Sequence, residues 1–193
     1  MPSKSTANLT ISQSKKLGKE FPVNFTLESG KRNPHVTLYQ LELPVDNVEK
    51  VVDVLSKITD STIKLKVKLN KKTNHQNFIF WACQKTKDLQ KLHEEIVKAV
   101  NPLRQNLLLP ELKNTRGLNA KMKKMVKDYG YTLVYDEFLP HITISNVKNI
   151  GDIPSIMKSL KLEEREEIFD TLALTTLGPF GTVPKILKKF KLS

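Results

Sequence analysis

The segment FLPHITIS, residues 138–145, decides the fold because the chain contains its pattern twice, the other copy being RNPHVTLY at residues 32–39. In both copies a Pro-His pair is followed by a β-branched residue, a threonine and an aliphatic residue. Aliphatic and polar residues alternate after a proline that a strand tolerates at its start. Each copy is therefore predicted to form a β-strand.

The histidine and the threonine of each copy lie two residues apart, as His35 with Thr37 and His141 with Thr143. Successive side chains on one face of a strand are about 6.6–7 Å apart, so an imidazole and a hydroxyl can bind the same ligand. One copy alone is better explained as an ordinary half-buried strand, because short motifs are weak evidence. The presence of both copies favours a functional role over two ordinary strands, because two such segments facing each other across a cleft form a site for a phosphodiester.

Composition limits the classes of protein and of partner. The chain is 39% hydrophobic and 27% charged, which is typical of a globular protein of one domain or two small lobes. No apolar run is long enough to span a membrane, and the N-terminus has no secretory pattern. The single cysteine, Cys83, fits a reducing compartment. We therefore expect a cytoplasmic monomer without a membrane partner.

The formal net charge is +12, which favours RNA or nucleotide partners, although surplus lysine often serves only solubility. One cysteine and four histidines argue against a structural zinc site. We expect neither a metal nor a cofactor.

Both halves of the chain show the order strand–helix–strand–strand. Asp46 and Asp152 each lie eleven residues after their histidine and are predicted to be helix N-caps. The chain is therefore predicted to be a diverged duplication, α+β and bilobal, with a pseudo-twofold axis and two antiparallel sheets flanking a central cleft. The predicted strands span residues 35–43, 62–69 and 78–83 in the first half, and 138–145, 172–177 and 183–192 in the second.

Residues 1–22 are polar and show no clear period, so a flexible N-terminal arm is predicted there. Residues 23–193 are predicted to form a single two-lobed domain. Its lobes are joined by a helical connection at about 86–128, which includes a helix at 87–100 and a short basic helix at 118–128 ended by Gly130.

The two Pro-His-x-Thr segments, about a hundred residues apart, resemble the paired His-x-Thr signatures of the 2H phosphoesterase superfamily. That superfamily includes 2′-5′ RNA ligase-like proteins and cyclic nucleotide phosphodiesterases. The resemblance extends over roughly residues 33–192. It implies a bilobal fold, metal-independent chemistry and a 2′,3′-cyclic or 2′-5′ phosphodiester substrate. It also implies that His35 and His141 are catalytic and that Thr37 and Thr143 bind the phosphate.

The hypothesis is hydrolysis by two histidines, one neutral and acting as base, the other protonated and acting as acid. Histidine suits both roles because its ordinary pKa of about 6.5 leaves both forms accessible near neutrality. The threonine hydroxyls would stabilise the charge that develops on the non-bridging oxygens. Nothing in the sequence assigns acid and base.

Further residues are weaker candidates for the same site. Tyr39 and Ser145 lie four residues after each histidine and are predicted to line the cleft and bind substrate. Trp81 and Phe180 could stack on a base, although a strand aromatic is more often in the core. Two other histidines are predicted to face solvent, His75 in a polar turn and His93 beside two glutamates.

Three alternatives remain open at this stage. The row Lys64, Lys66 and Lys68 fits a phosphate backbone track and a solvated strand face equally well. The enzyme could instead act on 2′-5′-linked or cyclic oligonucleotide signals. The chain could also be a non-catalytic RNA-binding module, although a pure binder has no need of two titratable groups.

Overall fold

A computed structural model describes residues 1–193 and shows an α+β protein with five α-helices and six strands. The predicted α+β class is confirmed, whereas the duplication and the cleft stay predictions. The chain forms two compact units. Unit 1 consists of Met1–Thr37, Lys64–Gln84 and Pro140–Lys191, and unit 2 of Leu38–Ile63, Lys85–Leu139 and Leu192–Ser193.

Unit 1 contains a four-stranded antiparallel sheet and a separate two-stranded antiparallel sheet. The strands are β1 Leu65–His75, β2 Phe78–Cys83, β3 His141–Asn146, β4 Arg165–Phe169, β5 Thr171–Thr175 and β6 Ile186–Lys191. The larger sheet has the order β3-β2-β1-β4, so strands from both halves of the chain pair with one another. The strands predicted at 62–69 and 78–83 are confirmed as β1 and β2, which form an antiparallel hairpin.

The first Pro-His-x-Thr segment does not form the regular strand predicted for residues 35–43. Only Val36 pairs, through an isolated antiparallel bridge to Ile142 of β3. The pairing does not continue, because the carbonyl of Leu38, the first residue of unit 2, accepts from Nδ1 of His93 at 2.6 Å. The second segment forms β3, as predicted.

The prediction of a flexible arm at residues 1–22 is wrong, because Lys4–Glu20 forms the helix α1. Ser3 is its N-cap, and the Ser3 hydroxyl accepts from the backbone N–H of Thr6 at 3.3 Å. The buried face of the helix consists mainly of hydroxyl side chains rather than apolar ones. Its members are Thr6, Thr10, Ser14 and Leu17.

Ser14 connects α1 to two other segments of unit 1. Its fully buried hydroxyl donates to the carbonyl of Ile144 in β3 at 2.7 Å and accepts from the backbone N–H of Leu27 at 2.8 Å. A buried polar group is tolerated only when its hydrogen bonds are made. The helix is therefore fixed to the sheet by a specific polar contact.

A buried carboxylate stabilises the start of α1. Glu167 of β4 is 3% exposed, and its carboxylate accepts from the hydroxyl of Thr6 at 2.5 Å and from the backbone N–H of Ser3. A negative charge is favourable at a helix N-terminus because the first N–H groups carry partial positive charge. β4 has no counterpart among the strands predicted from the sequence.

The predicted helices of unit 2 are confirmed. The apolar spacing of α2 buries Val51, Leu55 and Ile58, and Gly130 ends α4 in the left-handed conformation. The prediction of Asp46 as an N-cap is wrong, since a 3₁₀ turn precedes α2 and Asn47 is its N-cap. The unit 2 helices are α2 Val48–Asp60, α3 Lys87–Val100 and α4 Ala120–Tyr129; α5, Ile153–Ser159 with Asp152 as N-cap, belongs to unit 1.

His93 of α3 is fully buried, so the prediction that it faces solvent is wrong. Its Nε2 accepts from the backbone N–H of Tyr135 at 2.8 Å, which means that Nδ1 carries the proton and donates to the carbonyl of Leu38. The imidazole stacks on Phe138 with the ring centroids 4.1 Å apart. Neutral His93 therefore ties two separate parts of unit 2, the segment at Leu38 and the turn from Tyr135 to Phe138, to α3.

Ser14→Ala is expected to lower the free energy of unfolding by about 1–3 kcal/mol, because the buried N–H of Leu27 loses its acceptor. Ser12 lies on the exposed side of the same helix, so Ser12→Ala is the matched control and should change stability by about 0.5 kcal/mol at most. Urea unfolding followed by circular dichroism measures both values. Equal effects of the two substitutions would contradict the role given to Ser14.

His93 is expected to make stability depend on pH. Burial lowers its pKa below 6.5, while the neighbouring charges of Glu94 and Lys85 act in opposite directions. The contribution of buried His93 to stability is therefore present above about pH 6.5, where the imidazole is neutral in both the folded and the unfolded protein. This contribution is lost as the pH falls through the lowered pKa.

The test compares the free energy of unfolding at about pH 7.5 and about pH 5.5 in the parent protein and in His93→Gln, which cannot titrate. The loss of stability at the lower pH should be smaller in the variant. His75→Gln serves as the control because His75 is exposed. A loss of the same size in all three proteins would count against this role of His93.

Candidate active site

The bridge between Val36 and Ile142 brings the two Pro-His-x-Thr segments together in unit 1. In an antiparallel pair, the residues on either side of a bridge oppose one another in reverse order. His35 therefore lies opposite Thr143, and Thr37 lies opposite His141. The Cβ atoms of such opposed pairs are about 4.5–5.5 Å apart and those of diagonal pairs about 7–8 Å.

We expect all four of these side chains to lie on one face of the pairing, because each is one residue away from the bridge. The residues at the bridge point the other way, and Ile142 is fully buried. The four are half-buried, which leaves part of each accessible. The register of the bridge thus predicts a quadrilateral of two imidazoles and two hydroxyls, with the histidines on one diagonal and the threonines on the other.

His141 has an aromatic neighbour on the other side of β3. The register of β2 and β3 places Phe80 opposite Thr143 and Ala82 opposite His141. The ring of Phe80 lies against the imidazole of His141, with the centroids 3.9 Å apart and the planes at 36°. Phe80 is 8% exposed, so it forms a largely buried wall behind the histidine.

The orientation of His35 is set by a backbone carbonyl. Its Nδ1 lies 2.8 Å from the carbonyl oxygen of Asn33. A carbonyl only accepts, so Nδ1 carries the proton and the neutral ring has its lone pair on Nε2. Asn33 is itself held by the carbonyl of Val183, to which its backbone N–H donates at 3.2 Å.

Burial lowers the pKa of His35 below 6.5, and the charge of protonated His141 lowers that pKa further. Backbone hydrogen bonds with Asn33 and Gly181 act in the opposite direction without reversing the shift. Two neighbouring imidazoles avoid being charged together because like charges repel. His35 is consequently neutral at pH 7.

Ser145 does not extend this surface. It is fully buried, and its hydroxyl donates to the carbonyl of Phe25 at 2.5 Å. The cause is a bulge: Thr143 pairs with Phe80 but Ser145 pairs with Ile79, so Ile144 is an extra residue. The bulge changes the alternation of faces and turns Ser145 towards the core. The prediction that Ser145 binds substrate is therefore wrong.

Tyr39 belongs to unit 2, unlike the four motif residues. Its hydroxyl lies 2.6 Å from the carbonyl of Tyr129, at the end of α4, and 2.9 Å from Oδ1 of Asn101. Burial raises the pKa of Tyr39 far above its ordinary value, so the phenol stays protonated. The hydroxyl thus has structural partners, and a contact of the ring with substrate stays a prediction.

Arg104 lies in the same cluster and is 1% exposed. Its guanidinium donates to the carbonyls of Leu107 and Lys127 at 2.7 and 2.8 Å, and to Oδ1 of Asn101 at 2.8 Å. Carbonyls at the end of a helix carry partial negative charge. Arg104 therefore stabilises the end of α4 by charge and by hydrogen bonds.

A family model described as "Protein of unknown function (DUF1045)" matches residues 43–180, which is more than half of the chain. The chain belongs to the DUF1045 family. The matched region includes His141 and Thr143 and begins after the first motif segment at residues 32–39. No curated protein matches this DUF1045 chain.

The lysine row of the DUF1045 protein has acidic partners. Lys66 lies 2.9 Å from Glu166 of β4, and Lys68 lies 2.5 Å from the carboxylate of Glu164. These exposed pairs favour the interpretation of a solvated strand face over that of a phosphate track, because part of the positive charge is neutralised there.

No α-helix has both the length and the apolar composition required to span a membrane. No group of three or more histidine, cysteine, aspartate or glutamate side chains is arranged to hold a metal ion.

Proposed function

We propose that this DUF1045 protein is a 2H-type phosphodiesterase that hydrolyses a 2′,3′-cyclic phosphate at an RNA end or on a nucleotide, without a metal or a cofactor. The observation that carries the proposal is the bridge between Val36 and Ile142, which supports a single surface of two imidazoles and two hydroxyls. A five-membered cyclic phosphate presents to such a surface two non-bridging oxygens, a leaving ribose oxygen and a path for water.

His35 is the general base in this proposal. It is neutral at pH 7, and the bond from Nδ1 to Asn33 leaves Nε2 as the basic atom. Nε2 takes a proton from water as the water oxygen forms a new bond to phosphorus. The fixed tautomer matters because a ring turned the other way would present an N–H group, which cannot accept a proton.

His141 is the general acid. As the bond from phosphorus to one ribose oxygen breaks, His141 donates a proton to that oxygen, and the product is a ribose phosphate monoester. After one turnover His35 is protonated and His141 is neutral, and exchange with solvent restores both. Thr37 and Thr143 donate hydrogen bonds to the non-bridging oxygens, where negative charge increases in the transition state.

The diagonal arrangement fits the requirement for in-line displacement. The attacking water and the departing oxygen lie on opposite sides of phosphorus, so the base and the acid must also lie on opposite sides. Histidines at about 7–8 Å between Cβ atoms leave room for a phosphate between their rings. The protein's net charge of +12 attracts an anionic RNA end or nucleotide, and we propose that it acts as a cytoplasmic monomer.

Replacing either histidine is expected to abolish most turnover. His35→Ala and His141→Ala should each lower kcat by about 10²–10⁴-fold, which is the usual contribution of a positioned acid or base. The assay uses EDTA throughout and offers nucleoside 2′,3′-cyclic phosphates, an RNA that ends in a cyclic phosphate, and 2′-5′-linked oligoadenylate. His75→Ala is the matched control, since His75 is exposed at the end of β1, and it should leave turnover unchanged.

The outcomes separate the alternatives. If the protein prefers 2′-5′-linked oligoadenylate, that compound rather than a 2′,3′-cyclic phosphate is the substrate. Absence of turnover on all substrates, with salt-sensitive RNA binding unchanged in both histidine variants, would show a non-catalytic RNA-binding module. Turnover that disappears in EDTA would contradict the metal-independent mechanism.

The pH profile of kcat/KM is expected to be bell-shaped. The acidic limb reports His35, and because its pKa is lowered, the rate should begin to fall only below about pH 6.5 as the base becomes protonated. The alkaline limb reports loss of the proton from His141. A rate that rises to a plateau at high pH, with no alkaline limb, would exclude acid catalysis by a histidine.

A further inference from the structure

The loop that connects β5 to β6 contains an aromatic residue in an unfavourable backbone conformation. Phe180 has φ 59° and ψ 25°, and the next residue, Gly181, has φ 73°. The backbone N–H of Thr182 donates to the carbonyl of Pro179 at 3.2 Å and closes the turn. Positive φ at both central positions defines a type I′ turn.

Type I′ turns favour Asn, Asp or Gly at both central positions. Gly181 meets this requirement, but a bulky side chain such as that of Phe180 is strained at positive φ. Such strain persists where the surrounding structure imposes it, and it concentrates at sites of function. The strained turn therefore indicates a functional role for the phenyl ring.

The ring of Phe180 lies over that of Phe25, with the centroids 6.2 Å apart and the planes at 30°. Phe25 is 6% exposed, whereas Phe180 is 46% exposed. The inner ring is thus a buried support, and the outer ring presents nearly half of its surface to solvent. An exposed aromatic surface held on a buried one is a rigid flat platform.

This platform is connected to both motif segments within unit 1. The loop that carries Phe180 also contains Val183, three residues further along the chain. Val183 holds Asn33, whose carbonyl orients the imidazole of His35. On the other side, the carbonyl of Phe25 accepts from the hydroxyl of Ser145, two residues after Thr143.

We propose that Phe180 is the platform on which the base of the substrate stacks while its cyclic phosphate lies among the four motif side chains. The inference rests on the proposed function and defines the substrate class further: a nucleoside 2′,3′-cyclic phosphate, free or at an RNA end, is bound through the flat face of its base. Stacking accepts every base because each has a π-face, and a purine offers more surface than a pyrimidine.

The simpler alternative is that Phe180 only covers Phe25. The two roles give opposite expectations for Phe180→Asn, which supplies a residue that the turn favours and removes the ring. If the ring only covers the core, the variant is less stable and binds all substrates as before. If the ring is a platform, the variant loses affinity for substrates that carry a base and keeps or raises its melting temperature.

The experiment measures kcat and KM with three cyclic phosphates: adenosine 2′,3′-cyclic phosphate, uridine 2′,3′-cyclic phosphate and glycerol 1,2-cyclic phosphate, which has the reacting ring but no base. In Phe180→Asn, KM for the adenosine substrate should rise about 5- to 150-fold. The rise should be smaller for the uridine substrate and absent for the glycerol substrate, with kcat little changed for all three, as expected when uniform binding is lost.

Two further variants complete the comparison. Phe180→Trp keeps a stacking ring and should retain the KM of the parent protein. Leu187→Asn, which removes another exposed apolar side chain of unit 1, should leave KM unchanged for every substrate. Melting temperatures of all variants are recorded in the same buffer.

The results distinguish failure of the inference from failure of the proposed function. A parent protein that hydrolyses none of the three substrates would overturn the proposed function, and this inference with it. An active parent protein whose Phe180→Asn variant changes equally on the adenosine and glycerol substrates, or not at all, would overturn the inference alone.

Discussion

A single backbone pairing, between Val36 and Ile142, is the constraint on which the candidate site depends. It joins two segments that are more than a hundred residues apart in the chain. Its antiparallel sense places each histidine opposite a threonine and so puts the two imidazoles on a diagonal. A parallel pairing in the same register would have set imidazole against imidazole. The remaining features serve this arrangement: β2 supports the far side of β3, and the carbonyl of Asn33 fixes the ring of His35.

Much of the fold and of the candidate site could be predicted from the sequence, because the patterns that indicate them lie within short segments. Alternation of side chains placed each His-Thr pair on a common face, and regular apolar spacing placed the β1–β2 hairpin and α3. Three errors have physical causes. The buried face of α1 is made of hydroxyl side chains, which an apolar periodicity does not detect. His93 lies on the same stripe of α3 as Leu89 and Ile96, but the adjacent glutamates concealed this. The bulge in β3 turned Ser145 to the core, and a bulge depends on the partner strand rather than on the strand itself.

The residues of the candidate site could be predicted from the sequence more readily than the proposed role of each residue. Residue type and spacing indicate which side chains form the candidate site, whereas the proposed assignment of acid and base rests on the burial of His35 and on the tautomer that its contact with the carbonyl of Asn33 fixes. What distinguishes Phe180 from other aromatic residues is likewise structural, namely its positive φ and its contact with the buried ring of Phe25. Polar interactions also carry much of the packing, since Ser14, Glu167 and Arg104 are buried and each is satisfied by hydrogen bonds.

The hydroxyl-lined face of α1 has a consequence for what lies beneath the helix. A helix that packs through leucine and valine side chains covers an apolar surface, and loss of such a helix exposes an apolar patch to which other chains bind. Detachment of α1 would instead uncover a carboxylate, the carbonyl of Ile144 and the N–H of Leu27, groups that water can hydrate. Loss of α1 would therefore expose hydrogen-bonding groups that water can satisfy, in addition to the buried side chain of Leu17.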